Sequence, residues 1–251
     1  KVKTVNLDDT PPYQERRGLF APDQTTWLEL LELLREAEAD GSTRGLVLSL
    51  GSTRMSWAHC AEIRDRIQVL QARGKPVMVY LYGNPGTREY WIASVADRVV
   101  AHPAATVELT GMSRELLHAR GLWDMVGVQW QTARRSDYKT APEANTRHTP
   151  SEASLEQEQA LLDDRWDTVV QTLARGRDVS PDQARAWIDD GPWIPGQALN
   201  AGLIDAIAYP DELSRQLAML HQGYVRPINL EKAPTARSGW ENPSQIAVVY
   251  V

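Results

Sequence analysis

The stretch from Arg134 to Arg147, RRSDYKTAPEANTR, contains residues whose types and spacing could carry out chemistry. Lys139 lies between a tyrosine and a threonine, in a segment too polar for a core and too patterned for a simple linker. A lysine is most often a solvated surface charge. It can also act as a general base, provided that burial in a dry pocket leaves its amine neutral near pH ~7. The spacing alone does not decide between these two roles.

Ser136 and Lys139 have the S-x-x-K spacing of penicillin-binding proteins and serine β-lactamases. That chemistry needs both side chains on one turn at the start of a helix. Pro142 follows closely and disfavours helix in the residue before it. The K-T-G triplet that accompanies the motif is also missing, so this interpretation is not favoured.

Other motifs for nucleophilic or metal chemistry are not convincing. His59 and Cys60 are adjacent, and neighbouring helical residues point ~100° apart, so Cys60 is predicted to be a buried structural cysteine. The five histidines do not combine with Cys or acidic residues at ligand spacing, so we expect no metal and no cofactor. The sequence contains neither G-x-S-x-G nor G-x-x-x-x-G-K-[ST], which excludes an α/β-hydrolase elbow and a P-loop.

The size and charge of the chain restrict its class. At 251 residues it can bury one large core or two small ones, and 42% hydrophobic with 24% charged residues is usual for a globular protein. The net charge of -6 argues against nucleic acid as the main partner. No apolar run approaches the ~20 residues that span a bilayer. The chain starts at Lys1 without a methionine, so we expect that it is trimmed, and trimming would have removed any targeting segment.

Helix and strand patterns alternate along the chain and position these residues. Thr26 and Glu29 have capping-box spacing and predict a helix ending at Gly41, and Gly74 is predicted to end a second helix. Buried strands are predicted at 45–50 and 76–82, shorter strands at 98–103, 105–109 and 128–133, helices at 113–127, 151–175 and 180–190, and a last strand and helix within 205–220. This alternation predicts an α/β fold with a largely parallel sheet.

The C-terminal tail has a different composition. Residues 221–244 contain scattered Pro, Gly, Ser and charged residues without a period, which predicts a linker. The run IAVVYV within 245–251 then has the pattern of a buried strand. This strand could open a second core, or it could be the last strand of the same sheet.

Two stretches resemble the signal peptide peptidase A family, also called protease IV. They are YWIASVADRVVAHPAATVELTGM (90–112) and YKTAPEANTRHTPSEA (138–153), and the resemblance extends over about residues 43–216. It implies the spiral-like α/β fold shared with Clp proteases and crotonases, and a serine nucleophile with a lysine as general base. Lys139 matches the lysine position, and we expect Tyr138, Thr140 and Glu143 to hold its loop.

The sequence departs from the family where the nucleophile is expected. Short members have Ser-Gly-Gly where this chain has Thr87, Arg88 and Glu89, so the nucleophile is missing. Residues 48–57 also lack the Pro-Gly-Gly that donates backbone N–H groups to the oxyanion. In the long form of the family the first half supplies the lysine and the second half the serine.

We therefore interpret the chain as the lysine-bearing half of the long form. Residues 1–220 would be this half, 221–244 a linker, and 245–251 the first strand of a second homologous half. The resemblance implies a serine endopeptidase that degrades hydrophobic peptides such as cleaved signal peptides. It also implies a tetramer, held at the bacterial inner membrane by an anchor outside this chain, on the periplasmic side.

Two alternatives to the peptidase remain open. One is a degenerate half that binds or scaffolds, which the residues at the nucleophile position favour. The other is a crotonase-type acyl-CoA enzyme, for which we find no convincing adenine-binding loop or paired carboxylates.

Overall fold

The fold is built on one parallel β-sheet. The structure, a computed structural model, describes residues 1–7, 10–13, 25–53, 55–223 and 227–229. The strands in these residues are β1 (Val2–Leu7), β2 (Gly45–Leu50), β3 (Val77–Leu81), β4 (Arg98–Ala101), β5 (Ala206–Ile207) and β6 (Pro227–Asn229). They are ordered β5-β4-β3-β2-β1-β6, and every neighbouring pair is parallel. The predicted α/β fold with a largely parallel sheet is confirmed.

Helices connect the strands, as parallel strands require. In the described residues they are α1 (Trp27–Ala39), α2 (Trp57–Ala72), α3 (Thr87–Ala93), α4 (Arg120–Met125), α5 (Glu143–Thr146), α6 (Glu152–Arg177), α7 (Pro181–Asp189), α8 (Pro195–Asn200) and α9 (Leu213–Leu220), with a 3₁₀ turn at Pro210–Glu212. None of these helices combines the length and the apolar character needed to cross a bilayer.

The ends of α1 and α2 follow largely from local sequence. The predicted capping box is present, because Glu29 N–H donates to Thr26 Oγ1 and Thr26 N–H donates to Glu29 Oε2. Gly74 has a φ of 71° just after α2, as predicted for a helix stop. The predicted glycine cap of α1 is wrong. Asp40 follows the helix in an extended conformation, and the Lys75 ammonium group binds three of the last carbonyl oxygens.

The sheet is buried on both faces in its centre. Leu46, Leu48 and Leu50 of β2 point into the larger core, which contains side chains from α1, α2, α3, α6 and α7. Val47 points to the opposite face, where α9 contributes Leu217. This two-sided burial explains the nearly continuous apolar runs that predicted the central strands.

The sequence patterns between β4 and α5 were misleading. Residues 128–133 are not a strand, and of the helix predicted at 113–127 only α4 forms. Residues 105–109 contain isolated bridges at Val107 and Glu108 instead of a strand. Leu117 and Met125 are more than 80% exposed. Apolar spacing alone does not stabilise a helix or strand here, because these side chains do not pack against the rest of the protein.

The predicted linker and second half lie mostly outside the described residues. Within 221–244, residues 227–229 form β6 on the edge of the sheet, so this part is a strand and not linker. Its strand pairing was missed because three residues are too few for a period to be recognised. The strand predicted at 245–251 lies outside the described residues.

Candidate functional site

Lys139 lies in a turn at the end of an exposed arm formed by residues 111–150. Its backbone N–H donates to Ser136 O at 3.1 Å, and its side chain is exposed. Within the described part of the chain, Nζ has no hydrogen bond or ion pair. Ser136 and Lys139 do not share a helical turn, because the nearest helix, α5, begins only at Glu143. The penicillin-binding S-x-x-K arrangement is therefore absent.

The residues on either side of Lys139 are bound to α6. Tyr138 Oη donates to Glu156 Oε2 at 2.6 Å, and Thr140 Oγ1 donates to Gln157 Oε1 at 3.0 Å. The hydrogen bond to the Glu156 carboxylate raises the pKa of Tyr138. These two contacts attach the turn to the helix both before and after the lysine.

Glu143 connects the same loop to the start of α6. Its carboxylate is 4% exposed and accepts from Arg134 Nη1 at 2.9 Å, Ser151 N at 2.9 Å and Ser151 Oγ at 2.8 Å. Burial acts to raise the pKa of Glu143, but the hydrogen bonds from Ser151 and Arg134 outweigh it and hold this pKa below its usual range. Ser151 also caps α6 by accepting from Ser154 N. The carboxylate is therefore charged, and both of its oxygens accept hydrogen bonds.

Thr87, at the position matched to the nucleophile, lies at the start of α3 in a cleft of about 410 Å³. Its hydroxyl donates to Thr110 O at 2.7 Å and accepts from Thr110 N at 3.1 Å. A nucleophilic hydroxyl must instead direct its proton to a base. The Thr87 hydroxyl therefore links α3 to Thr110, the residue just before the arm.

The two residues after Thr87 bind the loop that follows β2. Arg88 Nη1 donates to Met55 O at 2.6 Å, and the buried Glu89 carboxylate accepts from both the N–H and the hydroxyl of Thr53. Glu89 also accepts from Gly86 N at 2.9 Å. An oxyanion hole needs free N–H donors directed at the reacting carbonyl. The Thr53 N–H is bound to the Glu89 carboxylate and is therefore not free for this role.

The Lys139 turn and the Thr87 cleft both border α6. The turn contacts Glu156 and Gln157, whereas the cleft is lined by Leu162 and Arg165 of the same helix. This separation of five to nine residues corresponds to about 8–13 Å along the helix axis. No hydrogen bond joins Lys139 to Thr87 among the described contacts.

The other candidate groups are structural. Burial raises the pKa of the Cys60 thiol to about 12, which keeps it protonated. The ring of His59 is hydrogen-bonded through Nε2 to Tyr13 Oη at 2.8 Å. The described residues contain no group of His, Cys, Asp and Glu that could hold a metal ion.

Sequence reasoning missed Arg134, Ser151, Glu156 and Gln157. Ser151 had a detectable signal, because a serine directly before a helical pattern favours an N-cap. The other three had none, since their partners lie 9 to 18 residues away in sequence.

The chain has an α/β fold with an all-parallel sheet in its described residues, and the family match places it in the Clp protease/crotonase-like class. Residues 69–223 match Peptidase family S49, and the chain belongs to this family.

Similar proteins include several named proteases. The chain is 25% identical to Protease 4 of Haemophilus influenzae, over 98% of this chain and 43% of that protein. It is 26% identical to Protease 4 of Salmonella typhi, over 77% of this chain and 33% of the relative. It is 25% identical to the chloroplastic serine protease SPPA of Arabidopsis thaliana, over 75% and 28%. The chain thus spans less than half the length of each of these relatives.

Proposed function

We propose that this chain is the lysine-bearing half of a serine peptidase that uses a Ser/Lys dyad. Lys139 is the general base, and the serine comes from a downstream homologous half. The substrates are hydrophobic peptides such as cleaved signal peptides. The observation that carries the proposal is the contrast at Lys139: Tyr138 and Thr140 are bound to α6, while the amine has no polar partner among the described residues.

The state of the Thr87 cleft supports a serine from elsewhere. The hydroxyl proton of Thr87 is directed to Thr110 O, and Glu89 occupies the N–H of Thr53. In this half, the turn that carries Lys139 is held by hydrogen bonds, but the Thr87 hydroxyl is not available as a nucleophile. A second half that carries a serine would complete the pair and cover the amine. Such cover is needed because burial favours the neutral form of a lysine.

The chemistry follows from the two groups. The neutral Lys139 amine removes the proton of the serine hydroxyl while its oxygen attacks the peptide carbonyl carbon. The resulting ammonium group then protonates the leaving amine as the peptide C–N bond breaks, which leaves an acyl-enzyme. Water, deprotonated by the same amine, releases the acid and regenerates the serine.

The proposal extends to location and assembly. We place the protein at the bacterial inner membrane with this half on the periplasmic side, as a tetramer. The resemblance to signal peptide peptidase A supports this placement, since peptides left in a membrane are apolar. The arm has large exposed apolar side chains, including Leu117 and Met125, which would suit contact with another half or copy.

The test is hydrolysis of a hydrophobic fluorogenic peptide by the full-length protein. Lys139→Ala should fall to background, and so should Lys139→Arg, because arginine keeps the charge but cannot become neutral. Arg135→Ala is the matched control, because it removes an exposed charge with no described partner from the same loop. It should keep wild-type activity. Activity that persists in Lys139→Ala, with equal melting temperatures, would refute the role of Lys139.

A non-catalytic scaffold half is the second candidate. The observation in its favour is the same closed Thr87 cleft, which holds its loop through Arg88 and Glu89. Under this alternative the full-length protein would cleave none of a panel of apolar peptides yet would bind them. Hydrolysis that depends on Lys139 would exclude it.

A further inference from the structure

Arg134 joins both sides of the turn that carries Lys139. Its Nη1 donates to the Glu143 carboxylate at 2.9 Å and to Asp137 O at 3.4 Å, and its Nη2 lies 3.8 Å from the Asp137 carboxylate. Asp137 precedes Lys139 by two residues and Glu143 follows it by four. The guanidinium therefore joins the segment before Lys139, at Asp137, to the segment after it, at Glu143.

This connection is anchored to the body of the protein through Glu143. The same carboxylate accepts both the N–H and the hydroxyl of Ser151, which is the N-cap of α6. Glu143 is buried, and the cost of burying its charge is offset by these hydrogen bonds and by Arg147, whose Nε lies 4.0 Å from Oε2. Arg134 and Ser151 thus hold one carboxylate from opposite segments, and the loop cannot shift without breaking this set.

We propose that Arg134 is a positioning residue for the reaction, acting on Lys139 through Glu143 and Ser151. This inference rests on the proposed function, in which Lys139 is the base. Arg134 does not contact the amine. Its effect is to fix the backbone of the turn from which the amine extends, while Tyr138 and Thr140 fix the flanks.

Arginine has a specific advantage at this position. Its planar fork holds two nitrogens in fixed directions, so Nη1 can donate to the Glu143 carboxylate and to Asp137 O while Nη2 lies 3.8 Å from the Asp137 carboxylate. Lysine at position 134 would present one nitrogen only, which could replace Nη1 but could not also take the place of Nη2 beside the Asp137 carboxylate. Loss of the fork would leave the reacting amine displaced, and a displacement of ~1 Å can lower a rate about 100-fold.

The experiment compares Arg134→Ala, Arg134→Lys and the control Arg135→Ala in the full-length protein. We expect kcat for a hydrophobic peptide to fall about 10- to 100-fold in Arg134→Ala and less in Arg134→Lys, with KM nearly unchanged. Methylguanidinium ions should restore part of the kcat of Arg134→Ala, whereas methylammonium ions should not. Arg135→Ala should behave as wild type.

A second readout does not depend on activity. Amide hydrogen exchange across residues 136–141 should accelerate in Arg134→Ala and not in Arg135→Ala, while exchange in β2 and β3 stays unchanged. Wild-type kcat in Arg134→Ala overturns the proposal, and so does a loss of kcat with no change in loop exchange. If Lys139→Ala retains activity, the proposed function fails by itself, and the exchange data then decide alone whether Arg134 orders the loop.

Discussion

Glu143→Gln tests whether the loop depends on a buried charge. The glutamine has nearly the same shape, but only one of its two terminal atoms accepts hydrogen bonds. Its oxygen can serve Arg134 and the Ser151 hydroxyl, and its NH₂ group then faces the Ser151 N–H, where two donors meet. Hydrogen bonds to charged groups contribute about 1.5–3 kcal/mol each, so we expect the free energy of unfolding to fall by about 2–3 kcal/mol.

Thermal unfolding followed by circular dichroism measures this loss. At about 2–4 °C per kcal/mol for a chain of this size, the melting temperature should fall by about 4–12 °C at pH ~7. Glu115→Gln is the matched control, because Glu115 is exposed and has no polar partner among the described residues. If both variants melt within about 1 °C of each other, the carboxylate does not hold the loop and the reasoning is wrong.

The same substitution has a defined pH dependence. The pKa of Glu143 is lower in the folded protein than its ordinary value of about 4.3 in an unfolded chain. A carboxylate with a depressed pKa stabilises the fold fully above the unfolded-state value and loses this contribution as the pH falls through the folded-state value. The gap between wild type and Glu143→Gln should therefore be constant near neutrality and close below pH ~4.3. A gap that widens on acidification would contradict the assigned charge.

Two further substitutions test the packing of α6 and the end of α1. Gly176→Ala would place a Cβ 2.3 Å from Ser94 O and should lower the free energy of unfolding by about 1–3 kcal/mol. Gly196→Ala has open space around the new Cβ and should be neutral or stabilising. Urea unfolding of the two variants distinguishes these outcomes. Lys75→Met removes three hydrogen bonds to carbonyl oxygens at the end of α1 and should lower the free energy of unfolding by about 1–3 kcal/mol. The control is Lys3→Met, and equal urea midpoints for the two variants would refute the role of Lys75 as a cap.

The parts of the fold that depend on local sequence could be predicted. The start of α1 followed from Thr26 and Glu29 because both capping partners lie within four residues. The central strands followed from apolar runs, since both faces of the sheet are covered. In contrast, residues 128–133 alternate like a strand although Val128 and Trp130 are exposed, and nothing in the pattern states whether a partner strand is present.

Prediction of the site from the sequence was limited in the same way, because its contacts are not local. Lys139 and its neighbours were found by resemblance to a motif, and their role as catalytic and supporting residues stays a prediction. The anchors Glu156 and Gln157 could not be found from the sequence, because they follow Tyr138 and Thr140 by 18 and 17 residues across two loops and a short helix. Contacts at that distance depend on how α6 folds back along the arm, and no local periodicity encodes this.

The contacts in the Thr87 cleft also predict that a serine substitution alone would not create a nucleophile there. Thr87→Ser would keep the hydroxyl, but the Thr110 carbonyl would still accept its proton. The N–H of Thr53 would still donate to Glu89 and would not be free to bind an oxyanion. Removing Glu89 would free the N–H but would also release the loop after β2, which the carboxylate holds by two contacts. The Thr87 hydroxyl, the Glu89 carboxylate and the loop are therefore coupled, which agrees with the proposal that the nucleophile is supplied from outside this chain.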